Sequence, residues 1–279
     1  MKLNNKGFAI SVILYSIIIL IIGILYLLID ILNARYNLSK HTTNEIVDYL
    51  NIQNVNIYGV TKVINTGQLL YVPETSNYYY YGKNPDNFID LNGDLWRIIG
   101  VFTIDNTKYL KIIKNDPLKL ETTDNFKIFD SNIFRYLNND FYNSINFQEM
   151  VTAMYWSVSE YSSNLTPIDA FNEEKNYLSS LQANVGLING SDFGFAAGSE
   201  YLQNSLSNYS VSKDNNWLAF SNKYFTMSSN DSKINIINDG NLVNTDNNEA
   251  YIYPCLYLRN DIYIISGTGK MNDPYTLLQ

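Results

Sequence analysis

Residues 8–29 read FAISVILYSIIILIIGILYLLI, an apolar run in which only Phe8, Ser11, Tyr15, Ser16, Gly23 and Tyr26 are not aliphatic. No charge falls within it. As an α-helix the run reaches roughly 33 Å, against roughly 30 Å for the hydrocarbon core of a bilayer. A cleaved secretory signal would carry a shorter stretch of about 7 to 15 apolar residues, closed by small ones. Here the run passes straight into Asp30, Ile31, Leu32 and Asn33, and the reading is a membrane span. Lys2 and Lys6 precede it with no acid, whereas Asp30, Arg35 and Lys40 follow it. Positive flanks stay cytoplasmic. The N-terminus is therefore expected inside, and the chain beyond the span outside the cell.

The span has a polar side. On a helical wheel Ser11, Tyr15, Ile22 and Tyr26 fall together, with Ser16, Gly23 and Asp30 beside them. Lipid satisfies no hydroxyl, and small residues let helices approach, so Ser11, Tyr15, Gly23 and Tyr26 form a candidate helix-packing face. The alternative is a serine bonded back to its own helix, with Tyr26 at the outer interface.

The remainder is long enough for one globular unit. Across 279 residues the net charge is −8, which argues against nucleic acid and against polybasic contact with anionic lipid. The 24 tyrosines and many asparagines reflect A+T-rich codons or a surface of stacking platforms for sugars. Cys255 is the only cysteine and His41 the only histidine, far apart in the chain, so neither a disulfide nor a Ser-His-Asp or Cys-His site can be assembled. Zinc lacks its ligands. Alternating Tyr253, Cys255 and Tyr257 point to a strand face with a buried thiol.

Thr42 and Glu45 have capping-box spacing ahead of a short helix. Strands are expected over 77–81, 88–91, 95–99 and 109–114, with hairpins at Asn92-Gly93 and Asp239-Gly240. Thr166-Pro167 followed by Asp169 opens a helix expected to run to about Leu181. Strands at both ends with helices between them make the fold class α+β. The expected organisation is a leader (1–7), a transmembrane helix (8–32), a stalk with connecting strands (33–76) and one extracytoplasmic domain (77–279). Glu173 and Glu174, adjacent on a helix, are expected to point to different faces and be solvated. Asp214-Asn215-Asn216, Asn230-Asp231 and Asp246-Asn247-Asn248-Glu249 offer oxygen donors that calcium accepts, without the spacing of a known loop; in an Asn-rich chain such segments are more often plain Asx-turn loops.

Lys6-Gly7-Phe8, opening the apolar helix, resembles the type IV prepilin signal. That resemblance implies cleavage between Gly7 and Phe8 and other pilin-like subunits as partners. The glutamate usual at the fifth mature position is here Val12. A second resemblance rests on Leu95-Trp96-Arg97-Ile98-Ile99, residues 134–144 (FRYLNNDFYNS), Ser191-Asp192-Phe193-Gly194 and Pro254-Cys255-Leu256-Tyr257-Leu258. Their order is similar to that in uncharacterised bacterial extracytoplasmic domains distantly similar to the C-type-lectin-like fold of formylglycine-generating enzymes. It implies a lectin-like head. The paired cysteines such chemistry needs are missing, so a non-catalytic head that binds a glycan or surface protein, or serves as coat, is expected. The alternative is a membrane-tethered carboxylate enzyme acting on cell-wall glycan. Trp217, Tyr224, Asn230 and Asp231, which flank the Ser-rich segment of that resemblance, are the candidate ligand residues, although a Trp beside Leu218 equally suits a core.

Overall fold

In the computed structural model the chain separates into two units, residues 1–42 and 43–279. The structure describes residues 5–39, 69–176, 180–246 and 249–278. His41, the Thr42/Glu45 capping box, Asn247 and Asn248 lie outside the described residues.

The first unit is one helix, α1 (Asn5–Ser39). Its stretch Val12–Asp30 is apolar and long enough to cross a membrane, and its side chains there are exposed. Ile and Leu fill most of its positions. Ser16 donates its hydroxyl to the carbonyl of Val12 at 2.9 Å, the back-bonded state that needs no neighbouring helix. Tyr15 and Tyr26 stand out from the helix, and the space where Gly23 would carry a Cβ is open.

The second unit is a mostly β domain with mixed sheets. It starts with β1 (Leu69–Val72), upstream of the boundary expected at residue 77, paired antiparallel with β2 (Asn77–Tyr80). Strands β3 (Phe88–Leu91), β4 (Asp94–Ile104) and β5 (Thr107–Lys114) follow as successive hairpins. After β6 (Leu120–Thr122) comes α2 (Asn132–Tyr136), continued by a π turn at Leu137–Phe141 and by Tyr142–Ser144. Next are β7 (Val151–Thr152), β8 (Met154–Ser157), α3 (Pro167–Asn176), β9 (Ser180–Ala183), β10 (Val185–Gly186) and α4 (Gly190–Phe195). Strands β11 (Tyr224–Asn230), β12 (Lys233–Asn238), β13 (Asn241–Thr245) and β14 (Glu249–Tyr251) build a second sheet. The chain returns to the first sheet with β15 (Cys255–Leu258), β16 (Tyr263–Ser266) and β17 (Tyr275–Leu278).

Among the described residues the larger sheet runs β10-β15-β5-β4-β3-β17-β16, with β1, β2 and β7 attached beside this path. It is antiparallel except where β17 lies parallel to β3. The smaller sheet runs β13-β12-β11-β14-β6, with β14 parallel to β11. Residues 96–102 of β4, 110–113 of β5 and all of β15 are buried without alternation, so these central strands are covered on both faces. Whatever side chain the sequence places there must enter the interior. Two of them are cations, Arg97 and Lys111.

Local chemistry explains the turns. Asn92-Gly93 (φ 56° and 88°) and Asp239-Gly240 (φ 49° and 76°) are the expected two-residue hairpins. The same left-handed pair recurs without glycine at Asp105-Asn106 and Asp231-Ser232. Helix α3 begins as expected, the Asp169 amide donating to the Thr166 hydroxyl at 3.2 Å, but it ends at Asn176 rather than near Leu181. Leu181 belongs instead to β9, in register with Trp156 of β8. Ladder pairing there replaces further helical turns.

Candidate functional site

Lys111 lies in the middle of β5, flanked by the buried Leu110 and Ile112. Its side chain is 2% exposed, and its Nζ lies 2.5 Å from Oδ2 of Asp192. The ring centres of Phe102, Trp156 and Tyr257 stand 5.1, 5.4 and 5.5 Å from the same nitrogen. Burial alone would lower the pKa of the ammonium, but Asp192 opposes it and leaves Lys111 above its ordinary value. Asp192 is the third residue of α4, and its Oδ2 also accepts the Asn189 amide at 3.0 Å. One carboxylate thus caps the helix and holds the lysine.

Glu174 is buried on α3, while its neighbour Glu173 is exposed, which corrects the expectation that both acids are solvated. The reason lies in how closely α4 packs on α3. A Cβ on Gly194 would stand 2.5 Å from Cγ of Pro167. That approach brings the start of α4 over Glu174. Its Oε1 accepts the Tyr161 hydroxyl at 2.6 Å and the Ser191 amide at 3.1 Å. Its Oε2 accepts the Ser191 hydroxyl and, at 3.3 Å, the Asn189 side-chain amide. Burial, with Asp192 adding to it, pushes the Glu174 carboxyl up to about 7.

These groups line one side of a cleft of about 710 Å³. Asn77, Phe102, Thr103, Tyr155, Trp156, Phe171, Lys175 and Tyr257 complete much of its wall. Tyr155 is 71% exposed, while the Trp156 indole is fixed by donating Nε1–H to the Ala183 carbonyl at 3.0 Å. The cleft therefore offers ring faces beside hydrogen-bonding groups, a combination suited to a compact polar ligand with apolar faces. A second hollow of about 410 Å³ is bordered by Asp124, Asn125, Ser232, Lys233 and Asp246. There Asp124 is taken by Arg135 and the Asn132 amide, and Asp246 by Lys233. Among the described residues no group of three or more acids, histidines or cysteines is placed to hold a metal ion.

The four candidate ligand residues are not brought together at either hollow. Trp217 is buried, donates Nε1–H to the Tyr80 carbonyl at 2.7 Å, and is covered by the Arg97 guanidinium at 4.2 Å. Tyr224 is buried with its hydroxyl on the Leu218 carbonyl. Both serve the core, as their apolar neighbours require. Asn230 ends β11, and Asp231 sits in the turn that follows. Gly7, Phe8 and Ser11 lie within the backbone of α1. Cys255 is buried and its thiol is pushed up by burial, which keeps it unreactive. Asn138 spans to β10, exchanging hydrogen bonds with Val185 N and O, so the 134–144 motif docks a helix on a sheet edge.

Of the motifs read in the sequence, Ser191-Asp192-Phe193-Gly194 reaches the cleft, as does Pro254-Cys255-Leu256-Tyr257-Leu258 through Tyr257. Lys111 and Trp156 were not anticipated, and Glu174 was expected to be solvated. A lysine inside the apolar run Leu110 to Ile113 was the available signal. No protein-family model, curated protein or solved structure matches this chain.

Proposed function

We propose that this chain is a membrane-anchored surface protein whose outward head is a non-catalytic binding domain, and that the cleft of Tyr155, Trp156 and Glu174 takes a small glycan. The observation that carries the reading is the pairing of an exposed aromatic edge with a fully engaged acid. Tyr155 offers a face on which a sugar ring can stack, with the buried Trp156 next to it in the wall. Glu174 meets four donors from the protein itself, which leaves no lone pair free for an incoming substrate. In this reading α1 is a single-pass anchor with its N-terminus in the cytoplasm. Cleavage after Gly7, pilin-like subunits as neighbours and a lectin-like ancestry of the head belong to the same proposal.

The test is a glycan array probed with the full chain in detergent, followed by titration of the retained sugars. Tyr155→Ala should weaken binding about tenfold, or ~1.4 kcal/mol, without moving the melting temperature, because the side chain is exposed. Unchanged affinity, or no sugar retained, would contradict the proposal.

A second reading has one specific observation in its favour. Glu174, its carboxyl pushed up to about 7 by burial, lies in the same cleft as the carboxylate of Asp192, and two carboxyl groups in one cleft suit hydrolysis of a cell-wall glycan. Release of reducing ends from cell-wall glycan, abolished by Glu174→Gln, would favour this alternative.

A further inference from the structure

We infer that Lys111 and Asp192 become joined by an intramolecular amide between Nζ and Cγ, a covalent tie from the central strand β5 to helix α4. The two groups meet at 2.5 Å with both side chains 2% exposed. Phe102, Trp156 and Tyr257 surround the nitrogen, hold the ammonium in place and exclude bulk water. Both ends are rigid, since β5 is paired on each side by β4 and β15, and Asp192 is fixed by the Asn189 amide.

In water an ammonium and a carboxylate are each solvated, and condensation between them is disfavoured. Burial removes that solvation, so two charges are kept in the interior at a cost that a neutral amide does not carry. Moving one proton from Nζ to Asp192 gives a neutral amine beside a carboxylic acid. The amine then attacks Cγ, the N–C bond forms and one C–O bond breaks. The oxygen departs with two of the three ammonium protons as water, and the third stays on the amide nitrogen. No oxidant or co-reactant is required. Glu174 lines the same cleft, which also borders Lys111 and Asp192 and gives the water a way out.

The tie would close a loop of 81 residues and resist unfolding of the head under load. The test is the intact mass of the full chain purified in detergent. It should be one water lighter than the mass of the same polypeptide without the bond, and Lys111→Met or Asp192→Ala should restore that water. Should either variant fail to fold, the unaltered protein decides alone. After denaturation and digestion, Lys111 and Asp192 should occur in one branched peptide, with Lys111 resistant to acetylation. Two linear peptides with Lys111 fully acetylated, or a water loss mapped elsewhere, would overturn the inference.

Discussion

Glu174 binds its proton more tightly in the folded head than in the unfolded chain, because burial and the nearby Asp192 both disfavour its charge. Its ordinary value is 4.5, and the fold raises it to about 7. Between those values the unfolded chain has released a proton that the folded head still holds. Stability from this group is therefore full below about 4.5 and is lost as pH rises through about 7, by up to about 3 kcal/mol. Chemical denaturation measured from pH 4 to pH 8 should show that decline, and Glu174→Gln should flatten it. An unaltered pH slope in the variant would mean that other groups set it. Nothing local in the sequence announces this residue. Glu173 and Glu174 are adjacent on a helix, and only the packing of α4 onto α3 decides which of them is buried.

At the scale of elements, what could be read early was written in short-range chemistry. Asn92-Gly93 and Asp239-Gly240 mark hairpins because glycine takes the left-handed backbone freely, and Thr166-Pro167 marks the start of α3 for equally local reasons. The end of α3 was not legible, since the pairing of β9 with β8 competes with helix and depends on a partner more than twenty residues away. Hairpins at Asp105-Asn106 and Asp231-Ser232 escaped notice because they lack glycine. The latter implies a gain. Ser232 holds φ at 63°, which strains a residue bearing a Cβ. Ser232→Gly should raise stability by about 1 kcal/mol, read as a shift of the urea midpoint with unchanged slope, whereas a lowered midpoint would show that the serine is preferred there. The cleft was least legible of all. Its wall comes from β2, β4, β5, β8, α3, α4 and β15, so no stretch of sequence contains it, and Trp217 and Tyr224, which have the residue types of a sugar site, lie in the core instead.

For the molecule as a whole, composition carried far. An uncharged run of Ile and Leu became a continuous helix with exposed side chains, and the tyrosine-rich remainder became a sheet domain with a buried interior. The residues of 12–30 suit hydrocarbon and the head suits water, and that difference is the physical basis of the proposed membrane anchor. The positive charges on Lys2 and Lys6 support the proposed direction, with the N-terminus inside. The most direct measurement is protease treatment of intact cells stripped of their wall, followed by detection of both ends of the chain. The account predicts that the head is digested while a membrane-embedded fragment carrying α1 survives. Complete protection of the head, or its recovery in the medium free of α1, would contradict it.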